Sequence, residues 1–595
     1  MAESPAPSGP RSRRRRWARR RRALLGALVV LSLLLLGTGW VGVRGWQARA
    51  HLLTAADLAQ DLSAQLRAGD TARAQRTLAA LQEQTGQART ATGDPAWWLA
   101  GHVPYGGDDL AAVRRIAVVI DDLARHAFPP LLQVDLTALL PTGGTLDLIG
   151  LRAATGRLAA GDDAIQRNRT VLAGLPADGL LPPVQAALTR LRDEVDGLAR
   201  LTAVAREGAR VLPPLLGADG PRTYLLASQN LAELRATGGM LGAYALIRAE
   251  DGRVRIVGQG SAATELRRFD PPVKVLTAEM RQLYADLPGV FPADVNLTPH
   301  FPTAARLFRE MVRRRTGTTV DGVLAVDPVA LSYLLAATGP VAVPGGPKLS
   351  AETAVRTLLS DAYLRLDDSA QDTYFASAAA VVFDALFGPD VSLPGVLSAI
   401  SRSVDERRIL FWSARAEEQQ VLTPSRLAGV LPEQEDEPTV GVFLNDGTGA
   451  KLGYYLNPSA HLTVGECRPD GRRQLRLRLS LHSSAPRTGL TPSVLGPGRN
   501  VPPYTVRTLV NVFSPAGGAV LGGRLDGRPV SLGSGVERRR QVVTATVELG
   551  PGTSRTLEVD LLTAVGTTVG AADLWHTPTA TPWTTQIDPA PACNQ

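Results

Sequence analysis

Aromatic side chains make up only 5% of the 595 residues, too few to favour a surface that stacks nucleic-acid bases. Cysteine occurs twice, at Cys467 and Cys593, so neither a dense disulfide scaffold nor a Cys-ligated zinc motif is available. The seven His are dispersed and none stands in H-x-x-x-H spacing. No G-x-S-x-G elbow, no G-x-x-x-x-G-K-[ST] loop and no G-x-G-x-x-G after a strand occurs, which removes the common hydrolase, P-loop and dinucleotide classes. A basic surface is lacking as well. Of 64 basic and 56 acidic residues, nine Arg and one acid, Glu3, fall in residues 1–22, which leaves 55 of each sign elsewhere. The excess of +8 is therefore a local tail, and no nucleic-acid partner is expected.

What is present begins with that tail. Arg11 to Arg22 is a dense basic run, and Ala23 to Val43 follows as 21 residues without a charge. At about 1.5 Å per residue this reaches across a hydrocarbon layer of roughly 30 Å. Trp40 and Trp46 stand at its far end, where indoles favour the headgroup zone. A single-span anchor in the plasma membrane is expected, with residues 1–22 cytoplasmic and the body extracytoplasmic. The competing reading is a signal peptide cut at Ala48-Arg49-Ala50. Export permits a Cys467–Cys593 disulfide, and two unrelated thiols are the alternative.

Residues 44–212 have helical periodicity. Leu58, Leu62 and Leu66 form one stripe, Val113, Ile116, Ile120 and Leu123 another, and Leu188, Leu191, Val195 and Leu198 a third, while Asp70 can cap a helix through Leu78 and Leu81. A stalk or bundle is expected, with Trp97 and Trp98 as packing residues. From 213 to 430 strands alternate with helices, which predicts an α/β domain. Tyr224 to Ala227, Ala243 to Arg248, Val254 to Val257, Gly322 to Val326 and Val341 to Val343 read as strands. Ala304 to Arg314, Pro328 to Ala337 (capped by Asp327), Ala351 to Leu359 and Ala376 to Leu386 read as helices. Residues 440–576 alternate with period two, most clearly in QLRLRLSL at 474–481, and predict a β-sandwich. Arg476 and Arg478 fall on its solvated face. Residues 577–595 read as a Pro/Thr-rich tail. The fold class expected is thus multidomain: an N-terminal transmembrane helix, a helical stalk or bundle, a central α/β domain and a C-terminal sandwich.

One segment between predicted strands is dense in binding chemistry. Gln229 and Asn230 are polar, Arg235 offers a planar donor fork for phosphate or carboxylate, and Gly238 and Gly239 let backbone amides approach a ligand. The bland alternative is a tight crossover with Arg235 tied down by Glu233 or a carbonyl. Asp294 and Asp321 are candidate ligands for a divalent cation such as Mg, with an Asx turn competing at Asp294.

The segments QNLAELRATGG, DVNLTPHFPTAARLF, VDGVLAVDPVALSYLLAATGPV and LNDGTGAKLGYYL together resemble an uncharacterised bacterial membrane-anchored envelope family, domain of unknown function 4012, over about residues 220–515. TYLLASQNLAELRATGG and the later strand–helix pair also resemble, more distantly, the LytR-CpsA-Psr phosphotransferases, which move polyprenyl-phosphate-linked glycopolymers to the cell wall. That likeness implies a LytR-CpsA-Psr-like central domain and makes Arg235 similar to a pyrophosphate-binding Arg. The chain departs from the pattern at Ala236-Thr237, where an Asp is expected, and at DDSAQDTYFAS, where basic residues are expected. Two functions follow: a binding or scaffold module for an anionic envelope component such as a polyprenyl-phosphate lipid or cell-wall glycopolymer, or a glycopolymer phosphotransferase of cell-wall assembly.

Overall fold

Leu475, Leu477, Leu479 and Leu481 are at most 1% exposed, while Arg476 and Arg478 between them face outward. Strict alternation in a strand sends successive side chains to opposite faces, so one face of this strand must find a core. The computed structural model describes residues 11–67, 70–104, 106–134, 140–141, 143–274, 276–388, 391–433, 437–497, 500–566 and 571–591, and shows where that core lies. Side chains are described from residue 25 onward, apart from a few isolated positions, so the basic character of residues 1–22 lies outside the described side chains.

The chain divides into two compact units, residues 1–136 with 149–210, and residues 137–148 with 211–595. The first is helical. Its longer helices are α1 (Arg11–Arg67), α2 (Thr71–Thr92), the short α3 (Pro95–Ala100), α4 (Gly107–Asp122), α5 (Leu148–Ala173) and α6 (Pro182–Leu215). Asp70 caps α2 as expected, accepting from the Arg73 amide at 3.0 Å. Ala55 and Leu62 of α1 pack on Leu78 and Leu81 of α2. Ile116 and Val119 of α4, Ile165 and Leu172 of α5, and Leu188 and Val195 of α6 form a second core. The apolar stretch 23–43 is not a helix of its own but lies inside the continuous α1. Among the described residues no helix is long and apolar enough to cross a membrane. Trp97 is buried as expected, whereas Trp98 is 51% exposed.

The second unit starts from a five-stranded sheet. β1 (Arg222–Arg235), β2 (Gly238–Glu250), β3 (Arg253–Ser261), β4 (Gly322–Val326) and β5 (Ile409–Ser413) lie in the order β3-β2-β1-β4-β5. Only β1 and β4 are parallel; the other neighbours are antiparallel, so the sheet is mixed. The reason is local. Asp251 and Gly252 both take positive φ, the conformation a two-residue hairpin turn between β2 and β3 requires. Helix α7 (Phe301–Thr316) covers one face, burying Phe301, Phe308 and Met311 against Leu225, Val323 and Trp412. α8 (Pro328–Thr338), α9 (Asp368–Leu386) and α10 (Leu393–Asp405) are further long helices of this unit, beside shorter ones such as Ala278–Tyr284 and Ala416–Leu422. The strand expected at 341–343 is reduced to one bridge, Val341 with Leu349.

Two further sheets follow. One contains β6 (Thr439–Asp446), β9 (Val506–Phe513), β12 (Gly533–Glu537), β13 (Arg540–Leu549) and β15 (Asp573–His576). The other contains β7 (Leu456–Cys467), β8 (Arg473–Ser483), β10 (Ala519–Leu525), β11 (Arg528–Pro529), β14 (Ser554–Leu562) and β16 (Thr584–Ile587). Val442, Leu444, Val510 and Val547 from the first share a core with Leu462, Leu477, Leu479 and Val559 from the second, the layering of a sandwich. Arg476 and Arg478 pair across to Asp560 and Glu558 at 2.7 and 3.2 Å on the exposed face.

Two features add to the expected domain boundaries. The sandwich is not a separate unit: Leu234 and Tyr363 belong to its core, and Ala236 packs with Phe443, Phe513 and Trp575. Within the Pro/Thr-rich segment, residues 577–591 are partly built into the wall of the sandwich. Thr577 and Thr579 are fully buried, and β16 pairs parallel with β7. Cys467 is disulfide-bonded, while its expected partner Cys593 lies outside the described residues.

Candidate functional site

The segment 229–242, read from sequence as a binding loop, is a β-hairpin. β1 continues to Arg235, Ala236 and Thr237 make the turn, and β2 begins at Gly238. Asn230 pairs with Met240 but Leu234 with Gly239, so residues 231–233 bulge out of the ladder. Leu231 and Ala232, fully buried with Val329 and Leu359, explain the bulge: two consecutive apolar side chains must both find core. Asn230 Oδ1 accepts from the Ala232 amide at 3.0 Å and Asn230 Nδ2 donates to the Tyr363 hydroxyl at 2.8 Å, which holds it.

Arg235 is 6% exposed, at the end of β1. Nε donates to Ala293 O and Asp294 Oδ1, both at 3.2 Å. Nη1 donates to Leu234 O at 2.8 Å, and Nη2 to Asp294 Oδ1 at 2.9 Å and Glu233 Oε1 at 3.2 Å. Burial works against the cation, but Glu233 and Asp294 outweigh it and hold the Arg235 pKa above its ordinary value. Burial pushes Glu233 up, opposed by Arg235, and does the same to Asp446. Three carboxylates therefore surround this guanidinium. An incoming phosphate would meet their charge as well as the cation's, and nearly all of the donor fork is already engaged.

The glycines serve the backbone. A Cβ on Gly239 would lie 2.1 Å from the Asn230 carbonyl oxygen, so only glycine lets β2 pass the bulge. Gly238 has φ of 141°, and a Cβ there would lie 3.1 Å from Gln229 Oε1. Gln229 is fully buried and accepts from the Thr237 hydroxyl at 2.8 Å.

Asp294 and Asp321 are not brought together. Asp294 grips Arg235 at one end of β1, and Asp321 accepts from the Thr223 amide at 2.9 Å at the other. Twelve residues of strand separate these contacts, on the order of 30–40 Å. The pair does not fit a shared divalent cation, and among the described residues no group of three or more His, Cys, Asp or Glu could hold a metal ion.

Residues that local reading passed over complete the arrangement. Asn445 Oδ1 accepts from the Ala236 amide at 2.9 Å, and its Nδ2 donates to Leu297 O at 3.2 Å. Asn296, fully buried, donates to Thr237 Oγ1 and Gly239 O at 2.8 Å each. Thr577 donates to Ala236 O at 3.0 Å. Lys451 lies 5.2 Å from the centre of the Tyr363 ring. A second knot forms where Asp327 caps α8 and also binds Arg408 Nη1 at 3.0 Å, while Arg408 reaches Thr579 O. The Asn-Asp-Gly-Thr-Gly string at 445–449 was a visible turn signal; Arg408 carried none.

Beside this junction, the buried Glu537 accepts from the hydroxyls of Tyr284 and Thr298, and His300 lies next to Thr298. Burial, with Arg538 and Arg306 nearby, pushes His300 down to about 3. An unfolded His titrates near 6.5, so unfolding takes up a proton between those values. The stability due to His300 is complete above about pH 6.5 and falls as pH drops toward about 3. Denaturant titrations of wild type and His300→Asn are expected to show an advantage of wild type that shrinks by up to about 1.4 kcal/mol per pH unit across this window. A constant difference from pH 7 to 4 would contradict the assignment. Glu537, raised by burial, acts in the opposite sense: its contribution is complete below about 4.5 and is lost as pH rises.

The fold therefore defines a two-unit protein, one unit helical and one a mixed sheet built onto a sandwich. Residues 219–363 match the family model described as a protein of unknown function (DUF4012), the family that the motifs resemble. The match covers the hairpin, the Asp294 turn, β4 and α8, about a quarter of the chain. The resemblance to LytR-CpsA-Psr proteins is not confirmed. No curated protein matches the chain. A crystal structure described as that of a nutrient-binding protein from Legionella pneumophila is similar at 9% identity over 21% of this chain and 42% of its own, with a TM-score of 0.14. The chain thus spans less than half of that protein, and at this score the likeness carries no argument.

Proposed function

We propose that this protein is a membrane-tethered, extracytoplasmic module of the cell envelope that binds or scaffolds an anionic component, such as a polyprenyl-phosphate-linked glycan, without turning it over. One observation carries the preference for scaffold over transferase. The polar residues of the resemblance motifs are directed at one another: Arg235 at Asp294, Asn296 at Thr237 and Gly239, Asn445 at Ala236. They lock the central sheet to the sandwich, and the phosphate-gripping role first read for Arg235 has no free fork to serve it. The charge for an anionic partner is available elsewhere, on the edge strand β3, where Arg253 and Arg255 are exposed.

The test is a paired assay on the full chain with an undecaprenyl-pyrophosphate-linked glycan and a peptidoglycan acceptor, with and without Mg²⁺. The expected result is retention of the lipid-linked glycan, weakened about tenfold or more by Arg253→Glu with Arg255→Glu, and no glycan on the acceptor. Acceptor-linked glycan would overturn the scaffold reading. Equal retention by the charge-reversed variant would move the contact off β3.

A further inference from the structure

The exposed large apolar side chains of the helical unit include a run on α1, with Leu25, Leu28, Val29, Leu31, Leu35 and Leu36 each more than half exposed. A second group stands apart in sequence: Trp98 is 51% exposed, Leu99 63% and Val103 55%. These three belong to α3 and the turn after it. Isolated exposed apolar residues need no explanation, but an exposed Trp-Leu pair on a firmly held element does.

The element is held at a definite height on α1. Trp97, 3% exposed, lies against Gly45, where an added Cβ would be 3.5 Å from its ring, and its Nε1 donates to Leu110 O at 2.9 Å. Asp94 caps α3 through the Ala96 amide at 2.9 Å. The same carboxylate accepts from Trp40 Nε1 at 3.3 Å and pairs with Arg44 Nη2 at 3.4 Å. The α2–α3 elbow is thus fastened to α1 between residues 40 and 45. That is where the charge-free stretch ends, at Val43, and where the exposed Trp40 and Trp46 stand. With Trp97 turned inward to grip Gly45, its neighbours Trp98 and Leu99 are left facing out.

We infer that the elbow formed by Trp98, Leu99 and Val103 is a second membrane contact, inserted into the headgroup–acyl boundary beside the point where α1 leaves the bilayer. The inference rests on the tether reading proposed above. Its occupant is the lipid interface because of continuity: the elbow is pinned within about 8 Å, five residues of helix, of the indole that the tether reading puts in the headgroup zone. Trp and Leu are the residues that gain most from that layer, and His102, whose ring lies 4.5 Å from that of Trp98, supplies a polar edge. A helix held at two points of the interface cannot rotate freely about its own axis, so the elbow sets the rotational orientation of the helical unit on the membrane.

The full chain, reconstituted into phosphatidylcholine–phosphatidylglycerol vesicles carrying brominated acyl chains, tests this through tryptophan quenching. Trp98→Phe keeps an aromatic ring and removes one indole. Its bromine-sensitive emission is expected to fall by about a quarter, the share of one indole among Trp40, Trp46, Trp97 and Trp98, which stand at one height on α1. Leu99→Asp, checked for native circular dichroism, is expected to lower quenching of Trp98 while the chain still floats with the vesicles. Flotation with no change in quenched emission in Trp98→Phe overturns the elbow and leaves the tether standing. Failure of the wild type to float overturns the tether reading, and the elbow with it.

Discussion

Replacing Arg235 by alanine is expected to destabilise the second unit by about 3–5 kcal/mol, the usual cost of removing one partner from a buried ion pair. The substitution leaves Glu233 and Asp294 facing each other, with Asp446 close by, at side-chain exposures of 10% and 18% for the first two. It also strips the carbonyls of Ala293 and Leu234 of their donors. The damage comes from the uncompensated carboxylates, so Arg235→Ala combined with Glu233→Gln and Asp294→Asn is expected to regain part of the loss. Guanidinium denaturation read by near-ultraviolet circular dichroism measures both. An Arg235→Ala protein with an unchanged midpoint and weakened binding of polyprenyl phosphate would restore Arg235 as a ligand-gripping residue.

The second large effect is expected at Gly239. Alanine there places a Cβ 2.1 Å from one backbone oxygen and 2.6 Å from the Leu231 nitrogen. Flexible side chains can yield to such a clash, but here the obstacle is the bulge of β1 itself. Overpacking typically costs about 1–3 kcal/mol, and a backbone obstacle puts Gly239→Ala at about 3 kcal/mol or more. Gly242→Ala is the control: its Cβ would stand 3.4 Å from the Met240 Cε, which can move, and the change is expected to be under about 1 kcal/mol. Equal stability of the two variants would show that the Gly238-Gly239 pair is not needed for the hairpin, and would favour its first reading as an amide cradle for a ligand.

These predictions turn a binding motif into a joint, and the reason lies in what local chemistry can show. An Arg followed by two glycines looks alike whether its fork meets a phosphate or two carboxylates of the same chain. Asp294, 59 residues away, is what decides between them. The same holds for Asp321. Its nearness to a strand end was legible, but which end of β1 that strand end meets depends on the parallel register that places Gly322 beside Tyr224.

By itself the sequence determined the elements whose periodicity has one physical solution. QLRLRLSL could only be a strand with one buried face, Asp-Gly at 251–252 a tight hairpin turn, and Asp327-Pro328 a capped helix start. It also determined the division into a helical first part and a strand-rich last part, because period 3.6 gives way to period 2 along the chain. Tertiary structure alone decided that β1 runs on through Gln229 to Arg235. Asn230 and Arg235 there look like loop until Tyr363 bonds the first and Asp294 pairs with the second. It alone decided that residues 577–591 are partly built into the wall, since Thr577 becomes core only when Ala236 and Leu444 stand ready to bond it. A buried polar group is stable only beside its partner, and here each partner lies tens to hundreds of residues away, where no window along the sequence can see it.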